Sequence, residues 1–196
     1  YGPGHAARLG TGLSTMITDA PLFTDIADAP EGGVAQFHTV GEMQIRIATW
    51  TGGTRGTILL LPGRTEYIEK YGRIIARFVG QGFNVACIDW RGQGLSTRPG
   101  GDIELGHVRT FSEYQHDLNA MLDITQGWPG PRHMVCHSMG GCIGLRALSN
   151  GLEVATATFS SPMWGLHLKP LEKIFAPFSL RFLRALGQGN AAAPGG

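Results

Sequence analysis

The segment Cys136-His-Ser-Met-Gly-Gly141 lies between a short apolar run and a helical pattern that continues to Asn150. In the pattern G-x-S-x-G, such a serine occupies a sharp, strained turn between a strand and a helix, and the small residues on either side let the two elements approach closely. Gly140 fits the second small position, whereas Cys136 stands where the pattern has its first glycine. We therefore expect Ser138 on a strand-to-helix turn at the end of a buried strand.

The same segment is open to two further interpretations. A Ser-x-Gly sequence can occur by chance at a strand–helix junction, and a glycine-rich turn at the start of a helix can bind a phosphate. If the turn is of the strained kind, it raises the Ser138 hydroxyl above the sheet and points the Met139 backbone N–H at a developing oxyanion. The surrounding sequence decides between these interpretations.

The rest of the chain alternates between apolar runs and helical patterns. Four apolar runs are typical of strands covered on both faces: residues 57–62, 85–89, 133–136 and 156–160. Apolar residues at helical spacing separate them, in residues 67–78, 112–125 and 138–150. The second of these helices begins with Ser112 and Gln115, which have the spacing of a capping box. Together with a strand hairpin at 34–38 and 43–50, this order predicts an α/β protein with a mainly parallel sheet and helices on both faces.

Length and composition exclude several classes of protein. The 196 residues are 42% hydrophobic, which is enough for one domain with a sizeable core. Lys and Arg number 16 against 15 Asp and Glu, without the basic stripe that nucleic-acid binding requires. The three cysteines are an odd number within apolar runs, which favours reduced, buried thiols in a cytosolic compartment over disulfides. No apolar stretch approaches the length of a membrane span.

Three motifs follow one another along the chain. The first is Pro62-Gly-Arg-Thr-Glu-Tyr67, which continues to Tyr71; the second is Asp89-Trp-Arg-Gly-Gln-Gly-Leu-Ser96; the third is His137-Ser-Met-Gly-Gly141. A weaker fourth runs from Gly106-His107 to Asp117. In this order they resemble the motifs of the monoacylglycerol lipase and lysophospholipase group of α/β-hydrolases, which is often grouped with the serine aminopeptidases. Pro62 and Tyr67 replace histidines of that pattern, and the resemblance covers roughly residues 23–187.

The resemblance implies a hydrolase of carboxylic esters, acting on glycerolipids or lysophospholipids without a metal or organic cofactor. Ser138 would be the nucleophile, and the backbone N–H groups of Arg64 and Met139 would form the oxyanion hole. The loop of residues 89–96 would be structural. The rival interpretation, from another class of protein, is a non-catalytic, hydrolase-like binding module in which the turn survives as a fold element alone.

In α/β-hydrolases the catalytic triad follows the order Ser, then Asp or Glu, then His along the chain. After Ser138 the sequence offers Glu153, Glu172 and His167, and His167 falls in a cap-like segment rather than after a later strand. The earlier histidines stand in the wrong order for the family. We therefore predict that the triad Asp and His are absent, that the chain is a C-terminally truncated fragment or a degenerate member, and that it is inactive alone.

The chain divides into three predicted parts. Residues 1–15, rich in Gly, Ala and Thr, are expected to be a non-native or disordered leader. Residues 16–163 are expected to form the N-terminal part of an incomplete α/β-hydrolase core, and residues 164–196 the start of a helical cap and a cut loop. The aromatic stretch 166–186 would either cover an acyl-chain pocket or form a surface helical hairpin. Its lysines and arginines would also allow peripheral contact with a membrane. We expect a cytoplasmic protein with a lipid ester substrate and no nucleic-acid partner.

Overall fold

The computed structural model describes residues 16–99 and 108–165, and beyond these the single positions Phe178, Arg181, Ala185 and Gly187. Several predicted features lie outside the described residues: the leader (1–15), Gly106, His107, His167, Glu172 and the remainder of the cap segment. In the described part, no helix has the length and apolar character that crossing a bilayer requires.

The described strands form one sheet, and four of them are the predicted apolar runs. The strands are β1 (Ile17–Asp19), β2 (Val34–Val40), β3 (Met43–Trp50), β4 (Thr57–Leu61), β5 (Asn84–Ile88), β6 (Arg132–His137) and β7 (Thr156–Ser160). Their spatial order is β1-β2-β3-β5-β4-β6-β7. Pairing is antiparallel from β1 to β5 and parallel from β5 through β4 and β6 to β7. The predicted hairpin is confirmed by β2 and β3, whereas β1 has no counterpart among the predicted strands.

Helices cover the sheet on both faces, as predicted. The described helices are α1 (Gly72–Gly80), α2 (Tyr114–Ile124) and α3 (Met139–Ser149). Short 3-10 turns, Ile68–Tyr71 and Phe111–Glu113, lead into α1 and α2. Ile75 of α1 packs into the core on one face of the sheet, while Leu118 of α2 and Ile143 of α3 pack on the other.

The capping box predicted at the start of the second helix is wrong. The chain enters α2 through a 3-10 turn whose N-cap is Thr110, without a side-chain cap, and the Ser112 hydroxyl lies 3.0 Å from that of Thr110. Gln115 Nε2 instead donates to the Ile143 carbonyl at 3.1 Å. The 3-10 turn begins before the expected cap, so Ser112 is not the residue at which the helix starts. The Gln115 side chain makes no cap and connects α2 to α3 instead.

β4 shows why a continuous apolar run, rather than an alternating one, predicts a central strand. All five of its residues are buried. Leu59 and Leu61 belong to the core under α2 and α3, whereas Ile58 and Leu60 belong to the core under α1. Each such side chain contributes roughly 1.5–3 kcal/mol when it is fully buried, so both faces of the strand require apolar residues.

The cysteines are free thiols, in agreement with the prediction. Cys87 and Cys136 are buried, and burial raises the pKa of the Cys136 thiol to about 12. Cys142 is only partly buried, and its thiol donates to the Met163 carbonyl at 2.6 Å. The prediction of buried thiols therefore holds for two of the three.

A buried cation joins β3 to the loops that follow β4 and β5. Arg46 is fully buried, and its Nη2 lies 2.6 Å from Glu69 Oε2. Its Nε lies 3.0 Å from Asp89 Oδ2, at an angle too poor for a hydrogen bond. Asp89 also accepts the backbone N–H groups of Ile68 and Leu95 at 2.8 and 2.9 Å. Burial raises the pKa of Asp89 to about 6, although Arg46 opposes that shift. One guanidinium therefore holds two buried carboxylates and, through Asp89, both loops.

Replacing Arg46 by methionine should destabilise the fold by about 3–5 kcal/mol, because it leaves buried carboxylates without their cation. The matched control is Arg73→Met, since the side chains of Arg73 and its partner Asp28 are 81% and 69% exposed and such pairs contribute about 0–1 kcal/mol. The loss in R46M should shrink between about pH 7 and about pH 5, because burial already raises the pKa of Asp89 to about 6 and its neutral form needs no cation. Urea unfolding of both variants measures this, and equal losses at neutral pH would contradict it.

Candidate active site

Ser138 occupies the turn between β6 and α3. Its φ is +47° and its ψ is −116°, a conformation that costs a residue other than glycine about 1–3 kcal/mol. Three backbone hydrogen bonds hold the turn: the Ser138 N–H donates to the Ser160 carbonyl at 3.1 Å, and the Ser138 carbonyl accepts from Gly141 at 2.9 Å and from Met163 at 3.0 Å. The strained strand-to-helix turn predicted for Ser138 is confirmed, and its side chain is partly exposed.

Two glycines of α3 allow the helix to approach the sheet. A Cβ on Gly140 would lie 2.2 Å from the Leu61 carbonyl oxygen at the end of β4. One turn later, a Cβ on Gly144 would lie 2.7 Å from Cys136 Sγ. The thiol therefore occupies space that Gly144 leaves, which explains how Cys136 can replace the first glycine of the motif.

The loop after β4 brings Gly63 against this turn. A Cβ on Gly63 would lie 3.0 Å from the Ser138 Cβ. The Gly63 N–H donates to Glu66 Oε2 at 2.5 Å, and the Thr65 N–H donates to Gln93 Oε1. These two hydrogen bonds fix the backbone on either side of Arg64, whose side chain is exposed.

The two predicted oxyanion donors lie at the same end of the sheet. Arg64 follows Gly63 at the end of β4, and Met139 follows Ser138 at the end of β6. The strands β4 and β6 are parallel neighbours, with Leu61 opposite Cys136. Met139 is also the first residue of α3, and the N-terminus of a helix favours negative charge.

Glu66 organises the loop after β4. Although it is only 7% exposed, its carboxylate accepts hydrogen bonds from Gly63, from Lys70 Nζ at 2.6 Å and from the Tyr71 hydroxyl. His137, immediately before Ser138, places Nε2 at 3.6 Å from Glu66 Oε1. Burial disfavours the anion, but the hydrogen bonds outweigh that effect and lower the pKa of Glu66. Glu66 therefore stays ionised and connects the loop to the residue that precedes the serine.

The sequence did not assign these roles to Glu66, His137 or Gln93. The spacing of Gly63, Glu66 and Tyr71 matches the family pattern, and that spacing was the available signal for Glu66. The contact between Gln93 and Thr65 spans 28 positions. A single sequence carries no local signal for a contact at that separation.

The loop after β5 has the structural role predicted for it. The Trp90 indole N–H donates to the Pro62 carbonyl at 2.9 Å, which supports the neighbouring loop. Arg91 lies 2.7 Å from Asp117 and 2.9 Å from Glu113. Ser96 accepts the Arg46 N–H at 2.8 Å and donates to the Asp89 carbonyl at 2.6 Å. These contacts leave the side chains engaged with the protein itself.

Other titratable residues of the described part stand away from Ser138. His133 lies at the start of β6, and Glu153 lies just before β7. Because β6 and β7 are parallel, both residues are at the end of the strands opposite to the Ser138 turn. His116 is on the exposed face of α2. Within residues 16–99 and 108–165, no group of three or more His, Cys, Asp or Glu could hold a metal ion.

Comparison with protein families finds a match to the family model described as serine aminopeptidase, S33, over residues 52–193. Among curated proteins, the chain is 34% identical to lysophospholipase L2 of Escherichia coli over 140 residues, which are 69% of this chain and 41% of that protein. It is 35% identical to the monoacylglycerol lipase of Mycolicibacterium smegmatis over 111 residues, 55% of this chain and 38% of that protein. The chain thus spans about two fifths of these relatives.

Solved structures share the fold. A thermostable carboxyl esterase from Bacillus coagulans, in complex with glycerol, superposes with a TM-score of 0.64 at 22% identity, over 80% of this chain and 51% of that one. A soluble variant of monoglyceride lipase from Saccharomyces cerevisiae, in complex with a substrate analogue, gives a TM-score of 0.59 at 24% identity, over 76% and 51%.

Gly140→Ala should destabilise the protein by about 1–3 kcal/mol, because the new Cβ meets backbone that cannot easily move. Gly80→Ala is the matched control: it is also helical, and a Cβ there would meet nothing within 4 Å. That change should be neutral or stabilise by up to about 1 kcal/mol. Thermal and urea unfolding distinguish the two variants, and a stable Gly140→Ala protein would show that α3 does not approach β4 closely.

Proposed function

The chain belongs to the serine aminopeptidase S33 family of hydrolases, with an incomplete α/β-hydrolase fold, and we propose that Ser138 is the nucleophile that this member uses to cleave carboxylic esters. The observation that carries the proposal is the Ser138 turn, with φ at +47° and Gly63 packed against its Cβ. A regular helix start needs neither feature. A nucleophile that must reach a substrate held beside a second loop needs both.

The proposed reaction begins when Ser138 Oγ attacks the ester carbonyl. Backbone N–H groups of Arg64 and Met139 receive the oxyanion of the tetrahedral intermediate, with the N-terminus of α3 adding favourable electrostatics. The alcohol leaves, and water then hydrolyses the acyl-serine. The hydrogen bonds of Gly63 and Thr65 support this assignment, because they fix the Arg64 peptide before substrate arrives.

The general base belongs to a part of the protein that the structure does not describe. A serine hydroxyl is a weak nucleophile without a neighbouring base, and in this fold the acid and the histidine follow the serine along the chain. The matched regions make up only 41% and 38% of these two relatives. We propose that the complete protein supplies both groups from later loops, with His167 as the alternative within this chain.

The substrate class follows from the relatives. One is a lysophospholipase and another a monoacylglycerol lipase. We propose a glycerolipid or lysophospholipid ester as substrate.

Ser138→Ala should abolish ester hydrolysis by the complete gene product, because members of a triad act as a unit. Ser149→Ala, at the exposed end of α3, is the matched control and should keep full turnover. Release of p-nitrophenol from its butyrate ester and labelling by a fluorophosphonate measure the two variants. Turnover that survives S138A, or a complete product without hydrolase activity, would favour the non-catalytic binding module.

The 196-residue chain alone should hydrolyse the same ester barely above background, because the described part supplies no base to Ser138. The comparison with the complete product uses equal molar concentrations of folded protein. Robust, Ser138-dependent turnover by the short chain would place the base within it. His167→Ala in that chain would then identify the base.

Glu66→Gln should lower kcat by about tenfold or more while KM changes little, since a loosened Gly63 N–H affects the oxyanion rather than substrate binding. Glu31→Gln is the matched control, because Glu31 is exposed. Steady-state kinetics on the complete product provide the measurement. An unchanged kcat in the Glu66 variant would show that its carboxylate does not position the loop.

A further inference from the structure

A cavity of about 340 Å³ lies beside the loop that carries Arg64 and does not include Ser138. It is bounded by the loops after β4 and β5 and by the segment before β2. Its walls include both apolar and polar side chains: Phe23, Ile26, Tyr67, Leu95, Gln93 and Arg98. The four apolar or aromatic members are between 39% and 54% exposed. The cavity therefore offers an apolar wall for a ligand outside the candidate active site.

Gln93 supplies a buried donor to this cavity. It is 4% exposed, and its Oε1 accepts the Thr65 N–H. A backbone N–H requires an acceptor, so the side-chain oxygen of Gln93 must face Thr65. The side-chain nitrogen, Nε2, therefore points away from Thr65. Nε2 is buried and has no hydrogen-bond partner among the described residues. A buried N–H without an acceptor is unfavourable, so Nε2 would gain a hydrogen bond if a small shift of the side chain brought it to an acceptor in the cavity.

Arg98 supplies a second donor and a positive charge. Its Nη2 donates to the Gly94 carbonyl at 2.6 Å, but its Nε is buried without a partner. In the described part of the chain, no carboxylate lies within ion-pair distance of its guanidinium. The two carboxylates that line the cavity, Glu69 and Asp89, are held by Arg46 and by backbone N–H groups. The donors without a hydrogen-bond partner are thus the Gln93 amide nitrogen and the Nε of the Arg98 guanidinium.

We propose that this cavity binds a medium-chain carboxylate. On binding, the Gln93 and Arg98 side chains shift, because Gln93 Nε2 and Arg98 Nε are buried in the empty cavity. The carboxylate oxygens then accept hydrogen bonds from these two atoms, and the alkyl chain lies against the apolar wall. Guanidinium–carboxylate hydrogen bonds are among the stronger ones in proteins, and the alkyl chain adds the burial of apolar surface. The inference stands on the cavity and does not require Ser138 to be catalytic. If the proposed function holds, the acid released by the reaction is a ligand of this class.

The test is calorimetric titration of the complete gene product carrying Ser138→Ala with sodium octanoate below its micelle concentration. Gln93→Glu keeps an oxygen for the Thr65 N–H and removes the Nε2 donor, so it should weaken binding at least about tenfold. Arg98→Gln should do the same by removing the charge. The matched controls Gln126→Glu and Arg77→Gln change exposed residues and should bind octanoate unchanged. If one of the two cavity variants fails to fold, the other decides.

1-Octanol separates recognition of the carboxylate from burial of the chain, and it should bind at least about tenfold more weakly than octanoate. Three results would overturn the proposal: no saturable binding of octanoate, equal affinity in the cavity and control variants, or octanol binding as tightly as octanoate. Because the serine is already replaced, none of these results bears on whether Ser138 is the nucleophile.

Discussion

The contact of Arg46 with Glu69 and Asp89 is the interaction on which the end of the sheet depends. A fully buried guanidinium is tolerated because two carboxylates surround it. Each carboxylate also belongs to a different neighbouring segment, and Asp89 accepts backbone N–H groups from both loops at once. A cation on an antiparallel strand thereby fixes loops at the carboxyl ends of two parallel strands. The loop that packs against Ser138 through Gly63 ends at this fixed point.

The candidate site combines strain with support. The Ser138 backbone is held in an unfavourable conformation by hydrogen bonds from β7 and from the residues that follow the turn. On its other side, Gly63 is held by a carboxylate that is itself bound by a lysine and a tyrosine. Both halves of the site are therefore rigid before any ligand arrives, which is what electrostatic stabilisation of a transition state requires.

The features that the sequence predicted are those that local pattern determines. Continuous apolar runs predicted β4 and β5 because both faces of those strands are buried, and the Ser138 turn was predicted because a strand and a helix meet there. β1 escaped prediction because three exposed residues carry no usable alternation. The capping box failed because a 3-10 turn begins the helix earlier, and the links of Gln93 to Thr65 and of His137 to Glu66 join residues 28 and 71 positions apart. The general base that we propose is not among the described residues, so its position stays a prediction.

The packing of Cys136 against Gly144 constrains the order in which these two positions can change during evolution. They share one volume between strand and helix, since the space that a side chain at 144 would need is filled by the sulfur of 136. A larger residue at position 144 therefore fits only after the residue at position 136 has become smaller. If position 144 changed first, its new side chain would clash with the sulfur of Cys136. With glycine at 144, replacing the cysteine at 136 by glycine would leave the volume of the thiol empty. The departure from the usual glycine would then persist as one member of a pair rather than as drift at a single position.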